Sequence, residues 1–467
     1  MNKLLLMGLC FLAAQLTPVV YQLGFGYREA FLYPSLLSHT LLVVPIFVVF
    51  HLKNRFTKGF LLIWIGWLFV GEVKILTYYA VNPYYIAMDE GCIIYNLFLS
   101  CLSLGMLIHD QLTPVKQVPA SAQQTGRPLF NDLTWLEYPL LFFPVLWFAD
   151  FISHVGYIPI LSGSDFTDKM YEIDYGYVYN YGFFNCVSAV LLYDRYQRAN
   201  HKAARLAWLV AVVGAVLIMT IDSKRLFLLV SLLSIFAYDR VLAGRVAINL
   251  KSVIMLASAV LLYAVLQSLR LGNMSMSITG TEGFPLGVEF REYIRAVNEF
   301  KPGEIPGYDL TASTLGSLIN SSVLKLAGFD KSALVSKDSA FSFMKLFDSS
   351  NTLGIRTGLT SELYFAYGFY GLLVITGFGY AVSALAYSLL TVSRKSTLVL
   401  QIVSFSLLVL TVFGQSSVTA GCLCVLLYLY GLIRLVSPRL PRYALPVYPA
   451  EPSPAYYSRD LHYHPRT

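Results

Sequence analysis

Arg291 and Arg295 stand four residues apart in Val288-Glu289-Phe290-Arg291-Glu292-Tyr293-Ile294-Arg295. On a helix that spacing brings both guanidiniums to one face, where their planar forks could grip a pyrophosphate through paired, charge-assisted hydrogen bonds. The plain alternative is a wet face on which Glu292 and Glu299 pair with Arg295. Lys224 and Arg225 make a second cationic pair, in the tight turn Asp222-Ser223-Lys224-Arg225 between two long apolar runs. Ionisable groups there are costly and face a polar cavity or a partner, unless they snorkel to the interface with Asp222 neutralising one of them. Arg270 and Arg356 flank the long segment between the ninth and tenth apolar runs and suit either a bound phosphate or lipid headgroups.

Carboxylates are the complementary chemistry, because displacement by a hydroxyl gains from a base that removes its proton. Glu362, in Ser361-Glu362-Leu363-Tyr364, opens an apolar run. It could serve that role or be an acidic residue favoured by a helix N-terminus. His154 follows Asp150 by four residues, so the two share a helix face as an oriented base or as a buried structural pair. Asp165, Asp168, Glu172 and Asp174 read as solvated loop charges, while Glu72 and Lys74, two apart, point to different faces. There is no Asp-x-Asp, and Glu172-x-Asp174 does not amount to a metal site, so neither a metal nor a cofactor is expected. The six cysteines fall in or beside apolar runs without a ligand or disulfide framework.

These groups are carried by a chain of 467 residues that is 56% hydrophobic and 13% charged, with mean hydropathy +0.61. A soluble domain has about 25% charged residues, and here the apolar residues come in blocks long enough to cross a bilayer. The sequence therefore predicts an all-α polytopic integral membrane protein. About twelve transmembrane helices are expected, at 4–23, 35–52, 59–79, 91–109, 135–157, 178–194, 206–222, 226–243, 252–269, 366–390, 396–414 and 419–437. Residues 1–437 form one transmembrane domain, 270–365 a large outer loop within it, and 438–467 a Pro- and Tyr-rich tail expected to be disordered. Lys53, Arg55 and Lys58, then Arg195, Arg198, Lys202 and Arg205, then Arg240, Arg245 and Lys251, then Arg394 and Lys395 all fall in short loops on one side. By the positive-inside rule that side is cytoplasmic, and both termini share it.

In the outer loop, Phe290, Tyr293, Ile294 and Val297 follow the i, i+3, i+4, i+7 pattern, which Leu315, Leu318 and Ile319 begin again. Short amphipathic helices lying over the membrane surface are expected there. The cytoplasmic loops offer no glycine-rich phosphate cradle, which argues against nucleotide-driven chemistry, and the formal charge of +7 is explained by membrane sidedness rather than by nucleic acid. A cationic outer surface beside the bilayer suits an anionic substrate whose apolar part stays in the lipid, such as a polyprenyl pyrophosphate carrying a sugar.

Four features in order resemble the O-antigen polymerase (Wzy), or oligosaccharide repeat-unit polymerase, family. Gly156-Tyr157-Ile158-Pro159-Ile160-Leu161 resembles a Gly-x-Ile-Pro-Leu-Leu stretch that opens an outer loop. Ser223-Lys224-Arg225 resembles an outer-turn Ser/Thr-Arg, with Lys224 inserted, and the long loop bearing Arg291 and Arg295 follows. Thr360-Ser361-Glu362-Leu363-Tyr364-Phe365-Ala366-Tyr367-Gly368-Phe369-Tyr370-Gly371 resembles Gly-Glu-x-Tyr-x-x-Phe-Gly-x-x-Gly, with Ser361 in place of the glycine.

The resemblance covers about 150–385 and implies a GT-C-like, metal-independent, inverting glycosyltransferase of the bacterial inner membrane. Such an enzyme moves a growing glycan from undecaprenyl pyrophosphate onto the next lipid-linked repeat unit. It implies Arg291, Arg295 and Glu362 as catalytic residues and Lys224, Arg225, Arg270, Arg356 and Tyr364 as substrate-binding ones. The implied partners are the lipid-linked oligosaccharide, membrane lipids, and the chain-length regulator and flippase of the same pathway. A flippase or other transporter, an O-antigen ligase, and a non-catalytic subunit of a polysaccharide machine remain as alternatives, although the hydropathy shows no paired halves of the kind transporters carry.

Overall fold

The computed structural model describes residues 3–25, 32–77, 88–113, 130–158, 181–219, 225–242, 287–319, 321–339, 342 and 356–436. Among them all regular structure is helical, apart from one isolated bridge between Phe130 and Arg394. In chain order the helices are α1 (Lys3–Phe25), α2 (Leu32–Leu41), α3 (Val43–His51), α4 (Arg55–Thr77), α5 (Met88–Leu112), α6 (Glu137–Val155), α7 (Phe184–Arg198), α8 (Lys202–Ile218) and α9 (Arg225–Leu242). Then follow α10 (Val288–Glu299), α11 (Leu310–Leu318), α12 (Ser321–Leu326), α13 (Lys331–Val335), α14 (Leu359–Tyr367), α15 (Gly371–Ser388), α16 (Lys395–Leu410) and α17 (Ser416–Val436). Among the described residues, six helical stretches are long and apolar enough to cross a membrane: Lys3–Gly24, Arg55–Leu76, Met88–Leu112, Thr134–Val155, Leu359–Ser388 and Ser416–Val436. Shorter apolar helices occupy Leu36–His51 and Lys395–Leu410. The predicted span at 252–269 and the tail at 438–467 lie outside the described residues.

Two predicted spans are interrupted, each for a local reason. The run at 35–52 is split between α2 and α3 because Pro45 has no N–H for the carbonyl of Leu41; the Ser100 hydroxyl from α5 donates to that carbonyl at 3.4 Å instead. The run at 366–390 begins as α14, breaks at Gly368 with φ 56°, and resumes as α15 at Gly371. Glu362 therefore belongs to α14, not to the helix that continues across.

α5 is the central post. α15 packs along it so closely that a Cβ on Gly105 would sit 2.0 Å from the Thr376 carbonyl oxygen, and one on Gly379 2.1 Å from that of Leu102. Small residues are what let helices in lipid approach to this distance. Gly379→Ala pushes against backbone that cannot yield, so a loss of about 1 to 3 kcal/mol is expected. It should appear as a lower melting temperature in detergent, whereas Gly377→Ala, with nothing within 4 Å, should leave the melt unchanged.

One end of the bundle collects the residues that the charge pattern assigns to a common side. Asp110 at the end of α5 accepts from the backbone of Lys53 at 3.2 and 3.1 Å and from the Tyr387 hydroxyl. Asp132 accepts from Ser396 Oγ at 2.6 Å. Lys395 is buried between Glu137 at 2.8 Å and Asp194 at 2.6 Å, with Arg195 on Glu137 and Arg198 on Asp194. Tyr238 Oη from α9 also donates to Asp194, at 2.7 Å, so this network ties α6, α7, α9 and α16 together. Lys395 is thus a buried ion-pair partner as well as part of the cationic loop signal.

Candidate functional site

The apolar stripe predicted for α10 is realised: Phe290, Tyr293, Ile294 and Val297 are all buried. They press α10 onto α4 and α5. Phe290 lies against Gly71, where any side chain would collide with its ring, and Tyr293 Oη donates to the Gly91 carbonyl at 2.8 Å. Burial pushes the Tyr293 phenol well above its usual range, so it stays a neutral donor.

Opposite this stripe, Arg291 and Arg295 stand about three-quarters buried with Glu292 between them. Arg291 donates from Nε at 2.9 Å and from Nη2 to Glu292 Oε1, while Arg295 Nη1 lies 3.7 Å from Oε2. The alternative foreseen for Arg295, pairing with neighbouring glutamates, is thus met by Glu292 and extends to Arg291. The arrangement is a guanidinium–carboxylate–guanidinium triad with one net positive charge, held on a helix fixed to the bundle.

Glu362 lies in the first turn of α14, where Gly358 turns the chain with φ 83° in a place tight enough that a Cβ would be 2.3 Å from the Val412 carbonyl. No other residue fits both the backbone and the space. Glu362 is buried, and its oxygens accept from Ser339 Oγ at 2.6 Å and from the Ser416 backbone N–H at 2.9 Å. Beside it is Asp338, also buried, which accepts from Ser417 Oγ and from Gln415 Nε2 at 3.3 Å. The two carboxylates therefore gather the N-terminal end of α17, where exposed N–H groups and the helix dipole favour negative charge. Tyr308 Oη donates to the Glu362 carbonyl at 2.8 Å, and burial, reinforced by the Glu362 and Asp338 carboxylates, holds its phenol well above its usual range.

Asp338 carried no local signal: it lies in a segment without periodicity, next to Ser339, which stands 23 residues before the Glu362 it bonds. The proximity of this pair is purely tertiary.

The other predicted residues are dispersed. Tyr364 is buried, with its ring edge-on to Phe98 of α5 at 6.5 Å and 88°, so it packs α14 in place instead of offering a face to a sugar. Arg356 is exposed just before α14. Arg225 opens α9, but its side chain, Lys224 and Arg270 lie outside the described residues. Gly156, first residue of the Gly-x-Ile-Pro motif, ends α6 with φ 76°, a helix-terminating role that needs no ligand. His154 is 41% exposed and bonds the Asp150 carbonyl at 2.8 Å, so the expected shared face is there but the pair is not buried. Glu72, assigned no role from sequence, is buried and accepts from Tyr21 Oη at 3.1 Å, with His39 Nε2 at 3.3 Å. Among the described residues, no three of His, Cys, Asp and Glu converge as a metal site would require.

The helices that carry Arg291, Arg295 and Glu362 share a neighbour in α5. Phe290 of α10 meets Tyr95 at 5.5 Å and Tyr364 of α14 meets Phe98, one helical turn further on. The helix with the two arginines and the helix with the glutamate are thus docked on the same half of one central helix.

Comparison of the chain with protein-family models, curated proteins and solved structures finds no match to any of them. The functional reading stands on the residues and their geometry.

Proposed function

We propose that this chain is a glycan polymerase of the bacterial inner membrane, with about twelve crossings in a GT-C-like arrangement. It transfers a growing glycan from undecaprenyl pyrophosphate to the next lipid-linked repeat unit on the outer side. The observation that carries this reading is the docking of α10, which bears Arg291 and Arg295, and of α14, which bears Glu362, against the same half of α5. It supports a single cationic and acidic site at one end of a membrane bundle.

In this reading an acceptor hydroxyl oxygen attacks the anomeric carbon as the bond from that carbon to the pyrophosphate oxygen breaks, inverting the centre. Negative charge grows on the leaving pyrophosphate, and cations fixed in a poorly hydrated groove stabilise it more than they stabilise the ground state. Arg291 and Arg295, with Arg225 and Lys224, take the donor pyrophosphate; Arg356 and Arg270 take that of the acceptor. Glu362 accepts from Ser339 Oγ and takes the acceptor proton by relay, the acceptor hydroxyl giving its proton to Ser339 Oγ as Ser339 gives its own to Glu362. A chain-length regulator and a flippase of the pathway are its proposed partners.

The sidedness has its own test. Glu304 is exposed in the loop assigned outside, and His201 is exposed in a turn assigned inside. In intact cells with the outer membrane permeabilised, an impermeant thiol reagent should modify Glu304→Cys and spare His201→Cys until the inner membrane is also opened. The opposite pattern would place the proposed site on the wrong side for this reaction.

A further inference from the structure

α11 does not lie over the ends of the membrane helices; it descends beside α17. Ser317 meets Gly421, where a Cβ would sit 3.9 Å from the Ser317 Cβ, and the Leu318 carbonyl accepts from Cys424 Sγ at 2.6 Å. Cys424 lies two turns beyond Ser416, so at about 1.5 Å per residue α11 reaches roughly 12 Å into the depth that α17 crosses. Its buried residues are Leu310, Ser313 and Gly316, and the close contact with α17 is made by small residues, Ser317 and Gly421.

The other side inverts the usual pattern. Leu315 is 47% exposed, and Val323, Leu326 and Phe329 are 56%, 89% and 57% exposed. Such a row is a liability in water. α17, on which α11 packs, exposes Leu427, Leu432 and Leu435 in the same way, as a membrane-crossing helix does. Lys325 does not conflict with burial in hydrocarbon, since its stem can carry the ammonium up to the headgroups.

Backbone at that depth must satisfy its own polar groups, and the described residues of this segment supply such bonds. Asp309 caps α11 by accepting from Ala312 N at 2.9 Å, and the Ile319 carbonyl takes Lys331 Nζ at 3.0 Å. The N–H groups of Ala327, Gly328 and Phe329 bond to the carbonyls of Val323, Lys325 and Leu324.

We propose that α11 and α12 form a wedge immersed in the leaflet at the N-terminal end of α17, touching its acyl chains through Leu315, Val323, Leu326 and Phe329. This rests on α17 crossing the membrane and not on the polymerase reading. The wedge is tied to α14 through the bond from Tyr308 to the Glu362 carbonyl and through Thr311 Oγ1 and Tyr367 Oη, 2.6 Å apart. A lipid-anchored molecule diffusing in that leaflet therefore meets the helix of Glu362 along an apolar wall.

The test uses the full chain with its native cysteines, in proteoliposomes. An environment-sensitive fluorescent amino acid is placed by codon reassignment at Leu326, at Phe329, or at Glu304 as an aqueous control in the same loop. At 326 and 329, lipids brominated along the acyl chain should quench several-fold more than iodide does, with the order reversed at 304. Iodide quenching at 326 and 329 equal to that at 304 would overturn the proposal. So would protection from both quenchers, the sign of a second copy or another protein over the row. The paired positions separate a failure to fold at one of them from a real result, and no glycan transfer is read.

Discussion

Replacing Arg291 or Arg295 by lysine is expected to slow glycan polymerisation by roughly 30-fold to nearly a thousandfold, the equivalent of about 2 to 4 kcal/mol of transition-state stabilisation. Lysine retains the charge but loses the planar fork that can meet two phosphate oxygens at once. The geometry sharpens this expectation, because Glu292 already fixes one edge of Arg291, with the tip of Arg295 3.7 Å from its other oxygen. If the arginines only neutralise Glu292 at a partly wet surface, the pair is worth under about 1 kcal/mol and lysine should substitute without effect. Rate and product length at matched expression decide the matter, with Lys301→Ala, an exposed cation of the same loop, as the control. Lys331 would be a poor control, since it holds the Ile319 carbonyl. Full activity in both lysine variants, or an equal loss in Lys301→Ala, would take the two arginines out of the site.

Lys395→Met should be the most damaging change to the fold. It strips the shared cation from two buried carboxylates, Glu137 and Asp194, and breaking a buried pair from one side costs about 3 to 5 kcal/mol. Arg195 and Arg198 remain on the two acids, but from the periphery, with 36% and 50% of their side chains exposed. The expected result is little folded protein in detergent and a much lower melting temperature. Adding Asp194→Asn, which removes one of the stranded charges, should recover part of the loss. An unchanged melt for Lys395→Met would mean that water reaches this end of the bundle and solvates the acids.

The helical bundle was legible because its signal is length and apolarity, and α10 because its buried face repeats at helical spacing. For α11 the spacing marked a helix but not what would pack on it. There Leu315 is exposed while Leu310, Ser313 and Gly316 are buried, Gly316 against Leu334 of α13. Lys395 was read as a loop cation, because positive loops and buried ion pairs at helix ends look alike in one dimension. The placement of Glu362 in a helix first turn could be anticipated from its position before an apolar run. Its company could not: Asp338, Ser339, Gln415 and Ser417 come from segments far apart in the chain and meet only when α17 is packed.

The central claim is the transfer itself, and the products of the purified protein test it most directly. Incubated in EDTA with the lipid-linked repeat unit of its host, the chain should build a ladder of longer glycans still attached to undecaprenyl pyrophosphate, with free undecaprenyl pyrophosphate released at each step. The ladder should persist because guanidiniums rather than a metal ion meet the leaving charge. Repeat units returned unchanged, glycan appearing on a different lipid, or a ladder that vanishes in EDTA and returns with magnesium would contradict the account.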